Sequence, residues 1–336
     1  MVLSVIVPVF NEAETLSILM PRLSTSLKNV EWEVIFVDDG STDASLDIIR
    51  KAAALDRHIK LLSFSRNFGH QAAITAGLDF AEGDAVVVMD ADLQDPPELL
   101  PKMLELYQEG YDVVSPRRVS REGETLIKRW TAKLFYRFMA LMADKRLAAE
   151  VGDFRLFSRR AVLAIRTFRE QHRFMRGLVA WLGLKEAILP FERQTRAAGE
   201  TKYPMLKMLQ FAWTAIASSS ALPLRLSIGA GVILSCAGFV YLARVVYLAL
   251  WTNVLVPGWA SVVVLQCIFS GVILLALGLM GDYVARTYEE AKGRPLYIVT
   301  SALNVPVPES GIIRASILLE PDPRLVQVRK ALRAAR

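Results

Sequence analysis

Cysteine and histidine are scarce in this chain. Its two cysteines, Cys236 and Cys267, exclude a disulfide scaffold and any Cys-rich zinc site. The three histidines, His58, His70 and His172, are widely scattered, which argues against a His-based metal site. No Walker loop and no Gly-x-Gly-x-x-Gly occurs, so P-loop NTPase and Rossmann dehydrogenase chemistry lose their usual support. Charge is missing from one long region. Residues 226–243 carry none, Arg244 interrupts, and 245–281 again carry none.

What is present is apolar and basic. Of 336 residues, 53% are hydrophobic and 22% charged, and the mean hydropathy is +0.33. That balance excludes a disordered chain and exceeds an ordinary soluble enzyme. The net charge of +6 suits an anionic membrane surface, a phosphorylated substrate or a nucleic acid. Basic residues concentrate near the uncharged region, so lipid accounts for the charge and no nucleic-acid partner is expected.

A membrane-spanning helix needs roughly 20 apolar residues. The second uncharged run is too long for one span and is broken at Trp251-Thr252-Asn253 and Pro257-Gly258. Two transmembrane helices are therefore expected, near 226–250 and 259–281; buried core helices of a soluble domain are the competing explanation. Lys207 and Arg225 precede the pair, and Arg286, Lys292 and Arg294 follow it. The connecting loop has no basic residue, so the positive-inside rule puts both termini in the cytoplasm. Arg244 would snorkel to the far headgroups. The apolar start, Met1–Phe10, is too short for a signal peptide. A multi-pass protein of the inner (plasma) membrane is expected, with residues 1–225 as a cytoplasmic domain, 226–281 as a transmembrane hairpin and 282–336 as a cytoplasmic C-terminal segment.

The first 225 residues read as α/β. Apolar strands are predicted at Val2–Val9, Glu33–Val37, Lys60–Ser63, Ala85–Met89 and Tyr111–Ser115. Asn11 with Glu14 has the spacing of a capping box for the first helix. Further helices are predicted through about Leu55, over Gln71–Ala81 and from Pro96-Pro97-Glu98. Strands alternating with helices imply a mixed, mainly parallel sheet with flanking helices, whose ligands bind at the carboxyl ends of the strands. Acidic clusters stand at two such ends, Asp38-Asp39 and Asp90-Ala91-Asp92.

Asp90 and Asp92 carry the sharpest chemical signal. Residues i and i+2 of an extended stretch point the same way, so both carboxylates can share one hard divalent cation. Such a cation, Mg²⁺ or Mn²⁺, neutralises charge on a diphosphate leaving group. Gln94 or Asp95 would add a ligand or orient one.

The segments IVPVFNE (6–12), FVDDGSTD (36–43), SRNFGHQAAITAG (65–77), MDADLQDPPE (89–98) and GDFRLFSRR (152–160) resemble the inverting glycosyltransferases of family 2. The nearest branch is the polyprenyl-phosphate glycosyltransferases, which include dolichol-phosphate mannose synthases and bactoprenol glucosyltransferases. GETKY (199–203) and GDYVARTYEEAKGRPLY (281–297) resemble the bactoprenol branch. The resemblance implies a GT-A fold and a nucleotide-sugar donor, with UDP-glucose preferred. It implies that Pro8, Phe10, Glu12, Asp38 and Asp39 surround the nucleoside. Asp90 and Asp92 would sit at the diphosphate and its metal, with Gln94 adjoining. Asp153 would approach the acceptor phosphate and the sugar C1, and Arg155 would hold phosphate.

The acceptor would be a polyprenyl (undecaprenyl) monophosphate. Its second pKa is near 6, so it is largely ionised at neutral pH and needs no strong general base. Basic side chains must then hold it beside the donor; Arg117, Arg155 and Lys202 are favoured by motif position. Residues 124–146 and 202–221 mix basic and aromatic positions, as interfacial helices do. Two spans are too few for a flippase, so product translocation is assigned to a separate partner. Gly229, Gly231, Gly271 and Gly278 permit close helix contacts and leave homo-oligomerisation open. A GDP-mannose donor, a processive polysaccharide synthase and a non-catalytic adaptor binding a sugar nucleotide are the alternatives. The synthase would need more spans and a Gln-x-x-Arg-Trp motif that Gln171-His172-Arg173-Phe174 does not match.

Overall fold

A computed structural model describes residues 1–118, 152–191, 222–251 and 258–306. The expected interfacial helices at 124–146 and 202–221, Lys202 and the tail beyond 306 lie outside the described residues. The described chain falls into two compact units. One holds 1–118, 152–191 and 294–306; the other holds 222–251 and 258–293.

The first unit is built on one eight-stranded sheet. Its strands are β1 (Val2–Val9), β2 (Glu31–Asp38), β3 (Ile59–Phe64), β4 (Ala85–Val88), β5 (Val113–Arg118), β6 (Arg155–Ser158), β7 (Glu186–Phe191) and β8 (Val299–Leu303). Their order is β7-β5-β6-β4-β1-β2-β3-β8. The strands β4, β1, β2 and β3 are parallel, and β5 is parallel to β7. β6 runs antiparallel between β4 and β5, and β8 runs antiparallel on the edge of β3. The mixed, mainly parallel sheet agrees with the sequence pattern.

Alternation along the strands sorts the core into two layers. Val5, Val7, Val34 and Phe36 face Leu16, Leu19 and Leu23 of helix α1 (Ala13–Ser26), Ile49 of α2 (Ser45–Leu55) and Leu100 and Met103 of α4 (Leu100–Gln108). On the other face, Ile6, Ile35 and Val37 meet Ile74 and Leu78 of α3 (His70–Phe80). Val162 and Ile165 of α5 (Arg159–Thr167), with Met175 and Val179 of α6 (Met175–Leu182), extend that layer. Burial on both faces is why the strands read as continuous apolar runs.

Two local expectations change. Helix α1 begins at Ala13 without a side-chain cap of its own, and Asn11 adopts φ +58°. The cap comes from across the sheet end. The Ala13 N–H donates to Asp43 Oδ2 at 3.1 Å and the Glu12 N–H to Ser45 Oγ at 2.8 Å. Asn11 Oδ1 instead accepts from the Thr42 N–H at 2.8 Å. The second change concerns the segment after the apolar helices. Tyr297 is 1% exposed and β8 completes the sheet, so residues 294–306 belong to the first unit.

The second unit contains α7 (Leu222–Trp251) and α8 (Trp259–Ala291). Each is long and apolar enough to cross a membrane, over Leu226–Leu248 and Ile268–Ala291, and neither apolar stretch is buried. A core helix of a soluble domain would be mostly buried, and these two are not. Helix α8 continues past Gly281, where Arg286 Nε pairs with Asp282 at 3.1 Å.

Candidate functional site

The carboxyl ends of β1, β2 and β4 form one edge of the sheet. β6 runs the other way, so its first residues, not its last, reach that edge. The β4–β6 register runs from Ala85 opposite Ser158 to Val88 opposite Arg155. Continued by two residues, it sets Asp90 opposite Asp153. A short strand inserted in reverse thus joins two acidic motifs far apart in sequence.

The acidic loop after β4 is folded by its own carboxylates. The Asp90 N–H donates to Asp95 Oδ2 at 3.0 Å, and the Gln94 N–H to Asp92 Oδ1 at 3.0 Å. Leu93 between them has φ +62°, a conformation that strains a branched residue and is held by this bonding. Asp95 is 3% exposed, so it orients the loop from below. Gln94 is equally buried, yet among the described residues its Nε2 has no hydrogen-bond partner. A buried donor left unmatched costs about 1–3 kcal/mol, which makes this amide a candidate for contact with a bound group.

Helix α3 brings His70 and Gln71 into the same corner. His70 Nε2 lies 3.5 Å from Asp90 Oδ1 and 3.7 Å from Asp153 Oδ2. Gln71 Nε2 donates to Asp153 Oδ2 at 3.2 Å, and Gln71 Oε1 accepts from the Met175 N–H at 3.1 Å. Arg176 Nε donates to Asp153 Oδ1 at 3.0 Å. Burial alone would raise the pKa of Asp153, but the His70 and Arg176 partners outweigh it and hold the carboxyl well below its usual range. Burial likewise draws His70 down, while Asp153 and Asp90 outweigh it and leave the imidazole raised.

The neighbouring loops carry the remaining candidates. Asp38 accepts from the Ser41 N–H at 3.1 Å and from Ser63 Oγ at 2.9 Å. Asp39 accepts from the N–H groups of Phe68 (2.7 Å) and Gly69 (2.9 Å), fastening that loop to the end of β2. Burial, with Asp38 beside it, raises Asp39. Gly40, at φ +72°, allows the same two loops to touch; a Cβ there would meet the Arg66 carbonyl carbon at 2.7 Å. Burial raises Glu12 too, and the charges of Asp92, Asp43 and Asp90 push it the same way. Phe10 is exposed beside this edge, whereas Pro8 is buried within β1 opposite Val37.

Among the candidate phosphate binders, Arg155 is 6% exposed and its Nε donates to the Gly152 carbonyl at 3.2 Å. Burial lowers its guanidinium pKa. Arg117 is exposed on β5. The structure thus brings together Asp90, Asp92, Gln94, Asp153 and Glu12, with Asp38 and Asp39 on the adjoining loops.

Comparison with known proteins shows the family. The model of glycosyl transferase family 2 matches residues 4–166. The chain is 45% identical over 304 residues to the uncharacterized glycosyltransferase YkcC of Bacillus subtilis, covering 90% of this chain and 94% of that protein. The chain belongs to glycosyl transferase family 2. This glycosyltransferase is also 38% identical over 301 residues to the prophage bactoprenol glucosyl transferase homolog of Escherichia coli, covering 89% and 98% of the two chains. With the bactoprenol glucosyl transferase of Shigella phage SfX the identity is 37% over 303 residues, covering 90% and 99%. Among solved structures, glucosyl-3-phosphoglycerate synthase from Mycobacterium tuberculosis, with Mn²⁺, UDP-glucose and phosphoglyceric acid, is 18% identical. Its TM-score is 0.46, with 64% of this chain and 77% of that one covered.

Three residues of the glycosyltransferase's acidic corner escape sequence reasoning. His70 and Gln71 stand inside the segment 65–77 without any spacing that links them to Asp153. Arg176 carries no local signal at all. Each is found only through the reversed insertion of β6 and the Gln71–Met175 hydrogen bond that ties the start of α6 to α3.

Proposed function

We propose that this glycosyltransferase moves a sugar, with inversion, from a nucleotide sugar to a polyprenyl phosphate at the cytoplasmic face of the membrane. The observation that carries the reading is the meeting of the Asp90–Asp92 loop with Asp153 at the β4–β6 junction. A donor diphosphate and an acceptor phosphate need adjacent but distinct sites, and this corner offers one on each strand. The names borne by the Escherichia coli and phage relatives favour bactoprenol phosphate as acceptor and glucose as sugar.

The donor side fits a hard divalent cation, Mg²⁺ or Mn²⁺. Asp90 and Asp92 would hold it, with the unpartnered Gln94 amide beside them. Among the described residues no three His, Cys, Asp or Glu side chains converge as a complete metal site. Such a cation takes its other ligands from diphosphate oxygens and water, so it would arrive with the nucleotide. When bound, it neutralises charge on the departing diphosphate. Burial raises Glu12, and the repulsion that Asp92 and Asp90 add is the electrostatic counterpart of that need.

On the acceptor side, Asp153 stays ionised and is already hydrogen bonded at both oxygens. It therefore fixes the cationic and amide groups around it instead of accepting a proton. The lipid phosphate supplies its own nucleophilic oxygen. Pro8, Phe10, Glu12, Asp38 and Asp39 would frame the nucleoside, directly or through the loops they fasten.

Chain continuity supports the expected topology: β7 before α7 and β8 after α8 belong to one sheet, so a chain that enters a bilayer between them must return to the side it left. Two crossings put both flanks on the side that carries the basic residues, the cytoplasmic side. The test is transfer of label from UDP-glucose, GDP-mannose or UDP-galactose to undecaprenyl phosphate by purified protein, with and without EDTA. EDTA-sensitive label in the lipid from one donor supports the reading. A folded protein inactive with every donor and either metal would overturn it in favour of an adaptor.

A further inference from the structure

The guanidinium of Arg176 is fastened at one end and open at the other. Its Nε donates to Asp153 Oδ1 at 3.0 Å, and among the described residues its two terminal nitrogens have no protein partner. The side chain is 37% exposed, against 13% for Asp153, so Arg176 is accessible to a ligand while the carboxylate that holds it is sheltered. Its backbone is equally well set. Met175, the residue before it, donates its N–H to Gln71 Oε1, and the same Gln71 amide donates to Asp153. One amide thus registers the first turn of α6 and the carboxylate that grips Arg176.

A guanidinium held through Nε presents its two remaining nitrogens as a fork, the geometry that matches two oxygens of a phosphate. Among the described residues the other candidates are less suited. Arg155 is buried and its Nε is turned to the Gly152 carbonyl, and Arg117 sits on β5, beyond β6 from Asp90. Lone surface arginines are common, but an arginine preset by a buried carboxylate and a bridging amide is a built donor pair.

We propose that Arg176 binds the phosphate of the acceptor, with Asp153 acting as its positioning partner. This inference rests on the proposed transfer to a lipid phosphate and names the residue that recognises that phosphate. Asp153 then matters because it aims a cation at the acceptor.

Steady-state kinetics with undecaprenyl phosphate and the active nucleotide sugar test it, comparing Arg176→Ala, Arg176→Gln and Arg176→Lys with wild type. Losing a preset phosphate fork should raise the acceptor KM about tenfold or more in the Ala and Gln variants. The donor KM should stay within about twofold, because the loops at 10–13 and 38–43 are untouched. Lysine should recover part of the loss, since it keeps the charge but not the fork. Unchanged acceptor KM, or an equal rise in donor KM, would overturn the assignment. If Arg176→Ala does not fold, the Gln and Lys variants decide on the same criterion. Wild type that fails to glycosylate the lipid phosphate would sink the proposed function itself; active wild type with indifferent Arg176 variants would sink only this inference.

Discussion

Asp90 and Asp153 share His70 just beyond the end of the β4–β6 ladder, its Nε2 lying 3.5 Å from the first and 3.7 Å from the second. The pairing exists because β6 enters the sheet backwards. A parallel strand there would have carried its first residues to the opposite edge. The two carboxylates have different surroundings: Asp90 is 41% exposed at its side chain and Asp153 only 13%. The exposed one suits a cation that comes and goes with substrate, and the sheltered one suits a fixed electrostatic post.

Asp90→Asn and Asp153→Asn should each lower kcat by about 10²-fold or more, the scale seen when a preorganised electrostatic group is removed. Thermal unfolding in detergent should show both variants folded. Activity within about threefold of wild type in either one would contradict the division of roles.

The Asp153 cluster should leave a mark on stability against pH. A carboxyl depressed from its ordinary 3.8 contributes stability that is present above that value and lost as the pH falls below it. An imidazole raised from its ordinary 6.5 contributes stability below that value, lost as the pH climbs through the raised one. The melting-temperature gap between wild type and Asp153→Asn should therefore be widest from about pH 4 to 6.5. It should close on the acid side and narrow in part on the alkaline side, where Arg176 persists. A gap that stays flat from about pH 3 to 9 would show that Asp153 is not coupled to these partners.

Helix α3 can present His70 and Gln71 only because Gly77 lets it lie on β1. A Cβ at Gly77 would stand 2.2 Å from Ile6 Cγ2. Gly77→Ala should destabilise the protein by about 1–3 kcal/mol through overpacking. Adding Ile6→Ala should relieve part of that loss, so the double variant is less destabilised than the sum of the singles. Strict additivity in thermal melts would rule the contact out as the cause.

The returning segment after α8 is fastened by a buried ionic cluster. Tyr297 donates its hydroxyl to Asp79 Oδ2 at 2.7 Å, and Arg169 grips both oxygens of Asp79 at 2.7 and 2.8 Å. Burial beside Asp79 pushes the phenol far upward, so it remains a donor. Tyr297→Phe should lower stability by about 1–3 kcal/mol, read by denaturant or thermal unfolding in detergent. No change would show that β8 alone holds the segment.

Much of this was legible in residue patterns, and the rest was not for physical reasons. Val2–Val9 and Ala85–Val88 announce themselves as apolar runs because both faces of the sheet are covered. Asp38, Asp39, Asp90 and Asp92 follow directly as residues at strand ends. By contrast, β6 has four residues, too few for a period to register, and nothing local says that it inserts in reverse between β4 and β5. The partner strand of β8 lies more than two hundred residues earlier, across both apolar helices. Asn11 and Glu14 have the spacing of a capping box, but the groups that cap α1, Asp43 and Ser45, come from another loop and leave no local spacing to read. His70, Gln71 and Arg176 become a group only after such long-range pairings have formed.

The most direct measurement offers the purified protein labelled nucleotide sugar with its cation and either undecaprenyl phosphate or the phosphate-free alcohol undecaprenol. Label should enter the lipid only with the phosphate, and the new linkage should have the opposite anomeric configuration to the donor. Equal transfer to the alcohol, or a product of retained configuration, would contradict an ionised lipid phosphate attacking in line beside Asp153.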